Sequence, residues 1–173
     1  MDAFYHGLMR PFLDLADLLL LVAAGLYLGQ QSRGHLLKRS MWLFGALFVF
    51  LFLAYAADLT GPAWVSYLMT LLLGLLIAGN VALPGIPGTL LIIACGGMLG
   101  GSFETPDASQ AVSVVGILGS LAGIAVLLYY PMLLAEWMQK REWQRIAVRI
   151  LGSWMAASTL LTLAFIVQTS PTP

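Results

Sequence analysis

The sequence predicts an all-α integral membrane protein: a six-transmembrane-helix bundle with both termini on the non-cytoplasmic side. Three observations lead there. Of 173 residues, 60% are hydrophobic and only 9% are charged, with a mean hydropathy of +0.91. A soluble domain carries about 25% charged residues, so this chain has too little charge to cover a surface in water. The apolar residues also fall into six runs near the length of about 17 to 25 residues that a crossing helix needs. Finally, the basic residues gather in alternate connections. The length allows one membrane domain, 1–173, with short loops and no room for a soluble enzyme domain.

The runs are 12–29, 41–57, 63–79, 86–101, 111–134 and 150–167. The first lies in "HGLMRPFLDLADLLLLVAAGLYLGQ" (6–30), which opens as a polar tail and turns into leucine and alanine. No basic region precedes it and it is about as long as a span, so it is expected to persist as a helix rather than be cleaved as a signal. The second and third are continuous apolar stretches. The fourth is short, follows "ALPGIPG" (82–88) and contains Gly96, Gly97, Gly100 and Gly101. A re-entrant hairpin competes there, because irregular backbone at membrane depth is tolerated when protein buries it. In the fifth, Pro131 of "LLYYPMLL" (127–134) removes a backbone hydrogen bond and is expected to kink the helix near its cytoplasmic end. The sixth is followed by "QTSPTP" (168–173), an uncharged tail expected to fray.

Charge chooses between the two readings of the fourth run. With six crossings, the connections 30–40, 80–85 and 135–149 share one side. They hold Arg33, Lys38, Arg39, Lys140, Arg141, Arg145 and Arg149, leaving Arg10 alone on the other side with Asp58, Glu104 and Asp107. Without the fourth crossing, these residues would split three against four. The positive-inside bias therefore favours six helices.

The connector "AEWMQKREWQRIAVR" (135–149) has a helical pattern. Glu136 stands four before Lys140, a supportive spacing, and Trp143, Ala147, Ile150 and Trp154 share a stripe. Trp137 and Trp143 suit headgroup level, and Lys140, Arg141, Arg145 and Arg149 suit anionic lipid. We read this segment as an interfacial lipid anchor, with a partner-docking surface as the alternative. For packing, small residues four apart let helix backbones approach. Gly25 and Gly29, Gly97 and Gly101, Gly116 and Ser120, and Gly119 and Gly123 fit that spacing, and "GILGSLAG" (116–123) is the candidate central element.

Several functions are not expected. Zero net charge and a pI of about 6.7 give no reason to expect nucleic acid. Cys95 is the single cysteine, so neither an internal disulfide nor a thiolate metal cluster can form. Its expected role is that of a small buried hydrophobe. Ser120 lies beside glycine, but not in the G-x-S-x-G spacing of a hydrolase. His6 and His35 fall outside the runs, so no pair of helical histidines is available to ligate haem. No catalytic residue and no cofactor is expected.

Arg10, Asp14 and Asp17 remain. On one continuous helix, spacings of four and three would place them on one face. Three readings stay open. They are a solvated helix start with acids near the positive end of the dipole, a contact that docks another protein, or a remnant ion or proton site that includes His6.

At these residues the chain resembles the HupE/UreJ family of small bacterial membrane proteins, whose first helix opens with a signature like H-P-x-x-x-x-D-H, then Leu-Leu and an Ala-x-Gly-Leu run. The corresponding residues are "RPFLDLAD" (10–17) and "LLLLVAAGL" (18–26), preceded by "HGL" (6–8). "LLLGLLIA" (71–78) is similar to the family's third helix, and "RILGSWMAASTLLTLAF" (149–165) to its last. The resemblance implies a multi-pass protein of the bacterial inner membrane. It also implies either a nickel or cobalt permease or an accessory protein for hydrogenase or urease, with histidines and acids in the membrane for the ion.

The ligand pattern departs from that family. Arg10 stands at the first histidine, Ala16 at the acid and Asp17 at the second histidine, while Pro11 is kept. The family's later histidine-rich run corresponds to "GGMLGGS" (96–102), which has no histidine. A guanidinium stays charged. At about 4 Å and an effective dielectric of about 20, it repels each unit of cation charge by roughly 4 kcal/mol. The sequence therefore favours a non-enzymatic accessory or structural subunit of a larger membrane complex, contacting lipid and other integral membrane subunits. The alternative is a divalent-metal permease with a rearranged site built from His6, Asp14 and Asp17.

Overall fold

The computed structural model describes residues 2–31, 40–49, 63–83, 85–101, 114–139 and 142–169. These residues are helical apart from short turns. In chain order the helices are α1 (Asp2–Leu13), α2 (Leu15–Gln30), α3 (Ser40–Val49), α4 (Ala63–Ala78), α5 (Ile86–Gly101), α6 (Val114–Met138) and α7 (Glu142–Thr169). By length and composition, Gly119–Met138 and Trp143–Gln168 can each cross a membrane. The pair Gly7–Leu13 and Leu15–Gln30, bent by 89°, makes a third candidate if it counts as one broken span. Ser40–Val49, Trp64–Ala78 and Ile86–Leu99 are shorter apolar helices. Lys140 and Arg141, most of the expected connection 30–40, the second run beyond Val49, and residues 58–62 and 102–113 lie outside the described residues.

The helix boundaries differ from the sequence expectation in two places. The expected polar tail is helical as α1, and the expected first helix does not begin at 12 but breaks at Asp14. Asp14 adopts an extended conformation (φ −87°, ψ 112°) and its side chain accepts a hydrogen bond from the Ala16 amide. Aspartate competes with the helical backbone in helix interiors and favours the cap position. The expected connector at 135–149 is likewise not one element. Residues 135–138 finish α6, Gln139 forms a turn, and residues 142–149 open α7. Apolar side chains at Val148 and Ala135, both fully buried, draw these turns into the two long helices. Through Pro131, α6 continues as one helix.

Helix α2 is the centre. Ten of its sixteen residues are buried, among them Leu20, Leu21 and Tyr27. It packs against α1, α4, α5, α6 and α7. Lipid tails are as apolar as leucine, so these contacts depend on how closely the backbones fit. Glycine supplies the fit. A β-carbon at Gly25 would stand 2.6 Å from the Leu128 carbonyl oxygen and 2.7 Å from the Pro131 ring, and one at Gly29 would collide with Met132 and Ala135. Since 25 meets 128–131 and 29 meets 132–135, α2 and α6 run parallel. Gly74 meets Gly152 and Ala156, whereas Gly152 meets Ile77 and Ala78, so α4 and α7 run antiparallel. Gly119 and Gly123 receive Phe4, Leu8 and Pro11 of α1, and Gly96 receives Leu43 and Leu47 of α3.

The outer surface is apolar. Trp154, Leu161, Phe165 and Val167 of α7 are all exposed, Trp154 by 72%. Such a face belongs against hydrocarbon.

Gly29→Ala should destabilise the protein by about 1–3 kcal/mol through overpacking. Gly45, where a β-carbon meets nothing within 4 Å, provides the opposite sign. Gly45→Ala should stabilise by up to about 1 kcal/mol through helix propensity. Thermal unfolding of both variants in one detergent checks the pair.

Candidate functional site

The two ends of α2 carry the polar chemistry. At the first, the chain breaks between α1 and α2. Pro11, three residues earlier, lacks an amide hydrogen, and its ring lies over Gly123. Asp14 then caps α2, with Oδ1 accepting from the Ala16 amide at 2.9 Å and its carbonyl accepting from Leu18 N at 2.9 Å. Asp17 follows in the first turn, where a negative charge meets the positive end of the helix dipole. Asp14 is exposed; Asp17 is half-buried, with one carboxylate oxygen out of solvent. Tyr67 of α4 lies within electrostatic reach of both carboxylates.

This geometry places Asp14 and Asp17 at the start of α2 and Arg10 on α1. The single helical face expected for Arg10, Asp14 and Asp17 does not exist, because Asp14 is the break and Arg10 belongs to α1. His6 also belongs to α1. The side chains of His6 and Arg10 are outside the described set. Among the described residues, no group of three or more His, Cys, Asp or Glu side chains is placed to hold a metal ion. Two buried hydroxyls bond within their own helices: Thr70 donates to the Ser66 carbonyl at 2.9 Å, and Thr159 donates to that of Met155 at 2.6 Å. Cys95 is buried as a free thiol.

At the other end of α2, three helices are tied together. Helix α4 ends with Asn80 in the left-handed region (φ 51°). Its amide donates to Ile77 O at 3.0 Å, and the Val81 amide donates to Leu76 O at 2.9 Å. This paired arrangement of a Schellman motif satisfies carbonyls that would otherwise be orphaned. The last carbonyls attract partners from elsewhere. Gln30 Nε2 of α2 donates to Ile77 O at 3.2 Å, and Arg149 Nε of α7 donates to Ala78 O at 2.8 Å. Arg145 Nε donates to Gln139 O at 3.0 Å, closing the α6–α7 turn. Arg145 and Arg149, expected to serve lipid, thus each also bond to backbone. Trp137 and Trp143 are exposed beside them. Gly116 lies in α6 near its start, and Ser120 is buried there next to Gly119.

Sequence reasoning missed Tyr67, Gln30 and the Gly74–Gly152 crossing. A signal existed only for the last, since Gly74 and Ala78, and Gly152 and Ala156, each show the four-residue spacing of small residues.

Helices that approach through glycine and turn large apolar side chains outward define a helical membrane protein. The chain belongs to the HupE/UreJ family: the family model described as HupE / UreJ protein matches residues 1–162. This is a transport and accessory family, connected with nickel and cobalt, and not a known enzyme family. No curated protein and no solved structure matches the chain.

Asp14→Ala should lower stability by about 0.5–2 kcal/mol, whereas Asp14→Asn, an equally good cap, should retain most of it. Chemical unfolding in detergent measures both. Equal losses in the two variants would show that the charge matters and the cap does not.

Proposed function

We propose that this chain is a non-enzymatic accessory or structural subunit of a larger membrane complex, a HupE/UreJ-type bundle whose metal ligands have been replaced. The observation that carries the proposal is the commitment of Asp14. Its carboxylate binds the α2 backbone at the break between helices, and the family's histidine position four residues earlier holds Arg10. A carboxylate used as a cap and a permanent cation at a ligand position both work against binding a divalent ion. Partners are other integral membrane subunits and lipid.

The proposed topology has six crossings of the bacterial inner membrane, with both termini on the non-cytoplasmic side. Helix order supports it. The ends of α2 and α4 and the start of α7 meet at Gln30, Ala78 and Arg149, which groups the basic connections at one end. Helix α6 runs parallel to α2 and so finishes at that end too. A crossing by α5 is consistent with this order, since it would carry the chain from that end toward the opposite one, where α6 starts. Sixteen residues reach about 24 Å at the helical rise, short of a hydrocarbon core of about 30 Å, a mismatch that local thinning accommodates.

A second reading is favoured by one observation: Asp14 and Asp17 lie together at the start of α2, with Tyr67 of α4 within electrostatic reach of both. It makes the chain a nickel or cobalt permease with a rearranged site. Uptake of radioactive nickel and cobalt into proteoliposomes separates the two. Accumulation no greater than in protein-free vesicles, together with co-purification of further membrane subunits in gentle detergent, is the expected result. Uptake that disappears in Asp17→Ala would replace the accessory reading with the permease.

A further inference from the structure

We propose that the groove between α2, α6 and α7 holds one acyl chain of a membrane phospholipid, drawn from the leaflet beside the α6–α7 turn. Helix α6 packs on α2 and α7 packs on α4, and the two leave a cavity of about 500 Å³ between them. Val22 lines it from α2, Val126, Tyr130 and Leu134 from α6, and Leu151 and Met155 from α7. The lining offers no polar surface. An ion, a sugar or a charged metabolite entering it would lose its hydration and gain no hydrogen bond, so the occupant is apolar.

Size narrows the choice. A crossing helix of a partner, about 10 Å wide and about 30 Å long, displaces on the order of 2,000 Å³, several times the groove. An acyl chain fits in length. Val126 to Leu134 is eight residues, about 12 Å along the helix, and one leaflet's hydrocarbon is about 15 Å deep, half of a core of about 30 Å. Orientation follows from the ends. Leu134 lies one turn before α6 stops at Met138, and Leu151 lies two residues after Arg149. That end lies at the level of the exposed Arg145 and Arg149, whose Nε atoms bond to the Gln139 and Ala78 carbonyls, so a phosphate headgroup at this level meets positive charge. Tyr130 on the rim is 73% exposed, which leaves the groove open sideways to the bilayer. The inference needs the chain to lie in a membrane but does not depend on whether it moves metal.

The test uses the intact chain. After purification in mild detergent and exchange into lipid-free micelles, extracted lipid is quantified by mass spectrometry. A single phospholipid per chain is expected, enriched in anionic headgroups. Val22→Trp and Met155→Trp, which fill the groove, should lose it, and Leu161→Trp on the outer face of α7 should keep it. A second measurement needs no variant: a phospholipid with a photoreactive diazirine in its acyl chain should crosslink wild-type protein at Val22, Leu151 or Met155. Wild type that retains no phospholipid, retention of a neutral lipid instead, or crosslinks confined to the outer face at Leu161 and Phe165 would each overturn the proposal. A dimer dissociated by Val22→Trp, with no lipid retained, would overturn it in favour of a second copy of the chain.

Discussion

Close approach of backbones at glycine is the constraint on which the rest of this structure depends. In water, burying leucine would itself drive helices together; in hydrocarbon that drive is absent, and contact distance decides. Gly25 and Gly29 bring α2 against α6, and Gly74 and Gly152 bring α4 against α7. The two pairs hold α2 at the centre and fix the direction of each neighbour. A β-carbon at any of these positions would meet backbone atoms, which cannot move aside as a side chain can. Two prolines complete the fit, since Pro131 lies over Gly25 and Pro11 over Gly123. In each case the ring covers the notch that the glycine opens.

That arrangement places the polar groups at the two ends of α2 and leaves the middle apolar. Hydroxyls that lie between the ends, such as Thr70 and Thr159, bond to carbonyls of their own helices. In a low-dielectric interior such a bond satisfies the donor without needing a partner from another helix. At one end, the acids serve the start of a helix, as its cap and in its first turn. At the other, Arg149 takes the Ala78 carbonyl and Gln30 adds a second donor to that of Ile77, so two other helices bond to the end of α4. The ends are therefore held by hydrogen bonds and the middle by fit.

The family relationship and the geometry pull in different directions at the α1–α2 break. Membership implies descent from proteins concerned with nickel and cobalt. At the break, the Asp14 carboxylate serves as the cap of α2, and position 10 holds an arginine. The bundle can be kept while the cargo is lost, because glycine-mediated packing and helix capping do not depend on an ion.

The sequence by itself determined that this is an apolar helical protein, where most helices lie, and which family it resembles. These are properties of composition and of runs along the chain. The α5 run at 86–101 and the proline-bearing α6 were legible in that way. The four-residue glycine spacing at 25 and 29, and at 119 and 123, also marked real close approaches, though not which helix fills each one. Tertiary structure alone decided the break at Asp14, since an aspartate three before another can continue a helix or cap one, and only the packing of α1 onto α6 selects the second. It also decided that 135–149 divides between α6 and α7, that Gly74 faces Gly152, and that Gln30 and Arg149 converge on α4. Each joins residues far apart in sequence, and no local pattern carries the distance between them.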